Sequence, residues 1–223
     1  MKNIFIVAEG PSEEKFAKKI LGPHFLDFDK NIIPITVLTK KDNRHGTIHK
    51  GGITTYRKFQ NTLHPILKQA AKSGDAYVTT MVDFYALPTD TPGHDESMKC
   101  SSAYDKVKVI ETAISEQEGY KQIFLPYIQL HEFEALLFTD VEQLLTEYFN
   151  YNIDELRQVL VTQPNPELIN NSFDTAPSKR ILKAISIYDK TVAGVEVLCK
   201  IGLDQIRQKC KHFNDWITHL EQL

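Results

Sequence analysis

Over the first 140 residues, short apolar runs alternate with segments in which apolar residues recur at helical spacing. The runs are rich in β-branched residues and are bounded by Gly, Pro or Asp, which predicts strands. These predicted strands are NIFIVAEG, NIIPITVLT, DAYVTTMVDFYALP and KQIFLPYIQL. Because the strands alternate with predicted helices, the pattern predicts an α/β fold: a mostly parallel, Rossmann-like sheet flanked by helices.

Two prolines and one polar segment modify this pattern. Pro34 lies inside the second run and indicates an edge strand or a bulge, because proline cannot donate to a sheet ladder. Pro65 lies inside the helical segment before the third strand, where it predicts a kink or a break. The segment KKDNRHGTIHKGG is polar, basic and rich in glycine, and it predicts a loop.

After residue 140 the pattern is helical. The amphipathic segments are DVEQLLTEYF, NIDELRQVLVT, PSKRILKAISIYD and DQIRQKCKHFNDWITHLEQL. We therefore predict an α/β domain over residues 1–140 and a helical C-terminal extension, packed on that domain, over residues 141–223.

Acidic residues fall where the predicted strands end. Glu9 follows the first strand, Asp83 ends the third, and Glu132 and Glu134 follow the fourth. In open α/β sheets, ligands bind at the edge formed by the carboxyl ends of the strands, so we expect these acids to converge there. The structural alternatives are that Glu9 caps the following helix and that Asp83 braces a loop.

Converging carboxylates suit a hard cation. Mg²⁺ is usually held by one or two carboxylates, several waters and substrate phosphates. An ion held in this way polarises a phosphodiester and lowers the pKa of an attacking water. We assign Asp83 as a metal ligand and Glu9 as a ligand or a general base.

Composition limits the possible partners and the compartment. Of the 223 residues, 42% are hydrophobic, which is enough for a core, and the formal net charge is −3. Polyanion binding must therefore come from a local basic patch or from metal ions. The three cysteines lack CxxC spacing, which argues against a disulfide framework or a zinc site. No signal peptide or membrane span is apparent, so we expect a cytoplasmic protein without a membrane partner.

Four blocks of the chain resemble a known family. They are VAEGPSEEKF, TTMVDFYALPTDTPG, PYIQLHEFEALLF and APSKRIL, and they resemble a bacterial Toprim-like family of unknown function. That family is related to the Toprim domain of overcoming-lysogenization-defect nucleases, and its members are often encoded beside ATPases or in phage-defence clusters. The resemblance implies a Toprim-like fold and phosphodiester cleavage or transfer that depends on Mg²⁺ or Mn²⁺. It also implies that Glu9 is the strand-one glutamate and that Asp83 is the first acid of the D-x-D motif.

One position departs from that motif. The stretch is Asp83-Phe84-Tyr85, so a tyrosine stands where the second acid is expected, and tyrosine is a poor Mg²⁺ ligand at neutral pH. Asp90, Glu132 or Glu134 could supply the missing carboxylate.

Glu132 and Glu134 lie in the block HEFEALLF, among apolar residues. A carboxylate in such surroundings is costly to bury without a partner, so a cation or a Lys or Arg side chain is expected beside each. They share a face on a strand but not on a helix, so the pattern leaves their relative orientation open. We assign both as candidate metal ligands, with salt bridges as the alternative.

The segment TAPSKRIL predicts a helix start with Pro177 near its first position. Ser178, Lys179 and Arg180 then lie in the first turn, where free N–H groups and two cations favour a phosphate. Basic residues at a helix start oppose the helix dipole, so stability alone does not favour them. We predict phosphate binding here and assign Lys179 and Arg180, with Glu9, to catalysis. The alternatives are solvated charges or partners for Glu132 and Glu134.

The basic segment before the second long helical stretch suits contacts with a nucleic-acid backbone, which add affinity without base specificity. Lys50, and Lys58 at the start of the following helix, are the candidate phosphate contacts. Two functions follow from these observations: a metal-dependent nuclease or related phosphoryl-transfer enzyme, or a non-catalytic Toprim-like module that binds nucleic acid or a partner ATPase.

Overall fold

A computed structural model describes residues 1–41, 48–50, 53–85, 87–169 and 174–223, with side chains described except at 38–41 and 48–50. The chain divides into two compact units, Met1–Ile128 and Gln129–Leu223. The predicted Lys50 contact and most of the basic loop therefore lie outside the described side chains.

The first unit is built on a parallel sheet. The strands are β1 (Lys2–Ala8), β2 (Lys30–Thr36), β3 (Leu38–Lys41), β4 (Ile48–Lys50), β5 (Ala76–Asp83), β6 (Phe124–Leu125) and β7 (Ile128–Gln129). Strands β2, β1, β5 and β6 lie side by side in this order, and each neighbouring pair is parallel. Ala8 pairs with both Thr36 and Met81, so β1, β2 and β5 end at the same edge. The predicted α/β fold is confirmed.

Burial explains which strand is central. In β1 the residues from Ile4 to Ala8 are buried, and β5 is buried from Val78 to Asp83, as expected for strands covered on both faces. Strand β2 lies at the end of this order and contains Pro34, which pairs in register with Ile6. The predicted edge position of Pro34 is therefore confirmed.

Helices flank this sheet. They are α1 (Pro11–Phe16), a π-helical segment (Ala17–Leu21), α2 (Gly22–Leu26), α3 (Tyr56–Ser73), α4 (His94–Ser97) and α5 (Ala103–Glu118). The start of α3 is capped by Thr55, whose hydroxyl accepts a hydrogen bond from the Lys58 amide, and α3 ends at Gly74 in the left-handed conformation. Its buried face packs on β5 and β1.

Three local details differ from the predicted pattern. Helix α3 continues through Pro65, which excludes the predicted break, while the predicted kink stays a prediction. The proline removes the hydrogen bond to the Asn61 carbonyl, but Asn61 is exposed, so water can satisfy that group while the buried face holds the helix. The segment predicted as a basic loop contributes to two antiparallel strands, β3 and β4. The run predicted as a fourth strand is interrupted at Pro126, and the Tyr127 amide donates instead to the Thr80 hydroxyl.

The second unit is helical. Its helices are α6 (Asp154–Thr162), α7 (Pro177–Ala184), α8 (Val195–Ile201), α9 (Leu203–Lys209) and α10 (Lys211–Gln222). Further turns are 3-10 helices at Phe133–Thr139, Val141–Thr146 and Pro166–Leu168, and a π-helical segment at Lys190–Gly194. Its core contains Phe133, Phe138, Phe213 and Trp216, which are all buried. None of the helices in the described parts of the chain is long and apolar enough to cross a membrane.

Candidate functional site

Glu9 and Asp83 meet at the carboxyl edge of the sheet. The Glu9 amide donates to the Met81 carbonyl at 3.0 Å, which extends the β1–β5 ladder by one residue. The Asp83 amide then donates to Glu9 Oε2 at 2.9 Å. The Glu9 carboxylate therefore contacts the main chain of Asp83. Two of the acids that the strand pattern placed at this edge are neighbours in the structure.

This pair has the chemistry that a hard cation requires. Both residues offer carboxylate oxygens, and Asp83 is only 8% exposed, so its charge is largely removed from water. Carboxylate oxygens are the protein ligands that Mg²⁺ and Mn²⁺ usually take, together with water and substrate phosphate, so the residue types of this pair suit such an ion.

The described residues show no third acidic, histidine or cysteine ligand arranged around this pair. Within the described ranges, no group of three or more His, Cys, Asp and Glu side chains is arranged to hold a metal ion. Asp90, one of the candidates for the missing acid, accepts a hydrogen bond from the Tyr56 amide at 2.9 Å. Asp90 therefore serves as the acceptor for an N–H group that helix α3 leaves free at its start. The structure gives it this role and does not show it as a replacement for the acid that the D-x-D motif has at the position of Tyr85.

Two further acids lie at the start of the helix that follows β1. Gly10 is the N-cap of α1, Pro11 is its first residue, and Glu13 is buried in the first turn with 2% exposure. Glu14 accepts hydrogen bonds from Thr36, at the end of β2, and from Lys18. Neither acid is among the predicted site residues, because acids in a first turn ordinarily complement the helix dipole and their burial cannot be inferred from spacing.

In the second unit, Glu132 occupies the start of α7. The Ser178 amide donates to Glu132 Oε2 at 2.9 Å, and the Ser178 hydroxyl donates to Glu132 Oε1 at 3.1 Å. An anion at this position is favoured by the free amides and by the dipole of the helix. The helix start predicted to bind phosphate thus donates hydrogen bonds to a protein carboxylate. This agrees with the alternative in which the segment supplies partners for Glu132.

Glu134 has a different partner. Its carboxylate is 2% exposed and lies 3.4 Å from the Lys190 ammonium, which also lies 5.8 Å from the centre of the Phe133 ring. Burial, and then the negative charge of Glu134, raise the pKa of the nearby Tyr188 hydroxyl well above its usual value. The contact with Lys190 agrees with the salt-bridge alternative for Glu134. Lys190 itself was not among the predicted site residues.

The predicted cations have varied surroundings. Lys179 is exposed in the first turn of α7, whereas the Arg180 Nε donates to the Thr175 carbonyl at 2.6 Å. Lys58 is exposed, and its ammonium donates to the Thr54 hydroxyl at 2.7 Å. Neither contact buries the charge, so these side chains can approach an anion.

Comparisons with known proteins give a family and a distant structural neighbour. A solved structure described as the C-terminal region of the Xanthomonas campestris pv. campestris OLD protein, phased with mercury, aligns with 99% of this chain and 98% of its own. The sequence identity is 12% and the TM-score is 0.39. No curated protein matches the sequence. Residues 8–221 match the family described as Domain of unknown function (DUF4276), and the chain therefore belongs to that family.

Proposed function

We propose that this protein is a Toprim-like nuclease, or a related phosphodiester-cleaving or phosphoryl-transfer enzyme, that depends on Mg²⁺ or Mn²⁺. The observation that carries the proposal is the hydrogen bond between the Asp83 amide and Glu9 Oε2, which holds two acids together at the end of adjacent parallel strands. This edge is where open α/β sheets bind their ligands. The resemblance of the EGPSE and VDFY blocks to Toprim-like proteins supports the same assignment.

Each residue has a defined part in this proposal. Glu9 and Asp83 would hold the ion, and the bound ion would polarise the phosphodiester and favour deprotonation of an attacking water. The Asp83 amide orients the Glu9 carboxylate by donating a hydrogen bond to its Oε2 atom. Lys179 and Arg180, at the start of α7 in the second unit, remain predicted contacts to a phosphate group of the nucleic acid.

A cleavage assay with matched variants tests the proposal. The protein is incubated with Mg²⁺ or Mn²⁺ and with DNA and RNA, both single-stranded and double-stranded. We expect cleavage that EDTA stops and that Glu9→Gln and Asp83→Asn each reduce by at least about 100-fold, since each removes one charge from the ion. Glu116→Gln and Asp95→Asn remove charge from exposed carboxylates and should cleave normally. Cleavage that survives in both site variants would contradict the assignment.

A second function is favoured by a specific departure at the same edge. Tyr85 stands where the D-x-D motif has an acid, and the described residues contain no three-residue metal cluster. A module that binds nucleic acid or a partner ATPase without catalysis needs no such cluster. This alternative is supported if wild-type protein cleaves no substrate and calorimetry detects neither Mg²⁺ nor Mn²⁺ binding. Metal-dependent cleavage by the wild type would rule it out.

A further inference from the structure

The exposed face of α3 carries positive charge only. Its 18 residues contain no Asp or Glu. The cationic residues on its surface, all exposed, are Arg57, Lys58, Lys68 and Lys72, with His64 between them. We call these five residues the α3 track. The whole chain has a net charge of −3, so this concentration of positive charge runs against the charge of the molecule.

Helical geometry places the track in a line. At 3.6 residues per turn, Arg57, His64, Lys68 and Lys72 fall within an arc of roughly 80° on one side of the helix. At 1.5 Å per residue, the line from Arg57 to Lys72 is about 22 Å long. The opposite side of α3 is buried by apolar residues, namely Phe59, Leu63, Ile66, Leu67 and Ala70. The core therefore fixes which side of the helix the cations occupy.

Apart from Lys72, which lies in the last turn and complements the helix dipole, these charges are not placed to stabilise the helix. Arg57 and Lys58 lie in the first turn, where cations oppose the helix dipole, and that turn itself contains no acidic residue. Lys68 and Lys72 are four residues apart, a spacing at which like charges repel. Arg57, Lys68 and Lys72 form no ion pair or hydrogen bond with the residues whose side chains are described. Helix α5, in contrast, carries Lys106 and Lys108 together with several acids.

The carboxylates that touch α3 do not neutralise the track. Glu118 is buried and accepts hydrogen bonds from the Tyr56 hydroxyl at 2.8 Å, Gln60 at 2.8 Å and His64 at 2.7 Å. It therefore offsets the charge of His64 alone when that ring is protonated. Asp90 accepts a hydrogen bond from the Tyr56 amide, at the start of the helix. The arginine and the three lysines keep their full positive charge towards the solvent.

From this arrangement we infer that the α3 track binds the sugar–phosphate backbone of a nucleic-acid duplex. A line of cations about 22 Å long spans roughly six base pairs at 3.4 Å each, and ammonium and guanidinium groups are the usual partners of phosphate oxygens. Tyr56 and Phe59 are both buried, so α3 offers no exposed tyrosine or phenylalanine ring on which an unpaired base could stack, which favours a duplex over a single strand. Contacts to phosphates carry no base specificity, so binding through the track should be independent of base sequence.

Membrane binding is disfavoured by the same helix. A helix that lies on a membrane presents a broad apolar face to the lipid, whereas the apolar face of α3 is inside the protein core. None of the large apolar side chains found exposed in the described residues lies on α3. This inference deepens the proposed function, because it names the surface on which the substrate of that enzyme would bind. Binding of the phosphate backbone by cations needs no metal ion, so the two proposals can be tested separately.

Fluorescence anisotropy in EDTA tests this inference directly. The probes are labelled DNA and RNA duplexes of about 24 base pairs, titrated from about 50 to 200 mM KCl. The track variant is Arg57→Gln/Lys68→Gln/Lys72→Gln. The control variant, Lys108→Gln/Lys121→Gln/Lys183→Gln, removes the same charge from exposed lysines outside α3. We expect the track variant to bind either duplex at least about tenfold more weakly at low salt, with a salt slope shallower by about 0.9 per lost phosphate contact.

Several outcomes would overturn the inference. They are equal duplex affinity in the wild type and the track variant, equal weakening in the control variant, and tighter wild-type binding to polyglutamate or to phosphatidylserine vesicles than to duplexes. If the triple variant does not fold, as judged by circular dichroism, the double variant Lys68→Gln/Lys72→Gln replaces it. Duplex binding through the track by a protein that never cleaves would support this inference and defeat the proposed function. Cleavage with an unchanged KM in the track variant would support the proposed function and defeat this inference.

Discussion

Glu132 and Glu167 show how single carboxylates organise the second unit. Glu132 accepts two hydrogen bonds from Ser178 at the start of α7, and the fully buried Glu167 accepts from the amides of His212 and Phe213 at the start of α10. In each case a carboxylate distant in sequence satisfies amides that the helix itself leaves free. These acids stabilise helix starts, which gives Glu132 a structural reason to be present whether or not it also contacts a metal.

Replacing Glu132 by alanine should therefore destabilise the second unit. We expect Glu132→Ala to lower the free energy of unfolding by about 1–3 kcal/mol, since it leaves the partly buried Ser178 amide and hydroxyl without their acceptor. Ser178→Ala removes one of the two hydrogen bonds and should cost about 1 kcal/mol. Urea denaturation measures both. Equal stability of Glu132→Ala and wild type would show that water replaces the carboxylate.

At the scale of elements, α4 is joined to α5 by very close backbone contact. Gly93 precedes α4 with φ +78°, and a Cβ added there would lie 2.8 Å from the Ala113 Cβ and 3.1 Å from the Val109 carbonyl oxygen. Gly119, which ends α5, has nearly the same φ of +75° but nothing within 4 Å of an added Cβ. An alanine at Gly119 would meet only the cost of the left-handed backbone conformation. An alanine at Gly93 would meet that cost and, in addition, a steric clash with α5.

This pair predicts unequal effects of the same substitution. Gly119→Ala should lower the free energy of unfolding by about 1 kcal/mol, the cost of holding alanine in the left-handed region. Gly93→Ala adds to that cost a steric clash with α5, so we expect a further loss of about 1–3 kcal/mol. Chemical denaturation of the two variants side by side gives the difference. Equal losses would mean that α4 moves away from α5 freely.

At the scale of the whole molecule, hydrophobic patterning located strands β1 and β5, because both are rich in buried apolar residues; Glu9 directly follows β1, and Asp83 ends β5. It was less informative where tertiary packing decides the local structure: α3 does not break at Pro65, and the last predicted strand is interrupted at Pro126. The contact between Glu132 and Ser178 joins residues 46 positions apart. The sequence pattern indicated that an anion would lie at the start of α7. It could not decide whether that anion is a phosphate or the carboxylate of Glu132.

The pair of acids at the sheet edge also predicts how the whole molecule responds to metal. Glu9 and Asp83 lie together at this edge, so an ion bound there would contact the folded chain and not the unfolded chain. Under the proposed function, Mg²⁺ binds the folded state and should raise the melting temperature with increasing concentration. At 100 times the dissociation constant the gain is about 2.7 kcal/mol, which corresponds to several degrees for a protein of this size.

The matched variants make this response specific. Asp83→Asn and Glu9→Gln keep a side-chain oxygen that can accept a hydrogen bond but lose one negative charge, so each should lose most of the Mg²⁺-dependent rise. Glu116→Gln, an exposed carboxylate of α5, should keep that rise in full. Differential scanning fluorimetry with NaCl at matched ionic strength removes the effect of general screening. If Asp83→Asn showed the same rise as wild type, the ion would bind elsewhere on the molecule, and the edge of the sheet would no longer be the candidate metal centre.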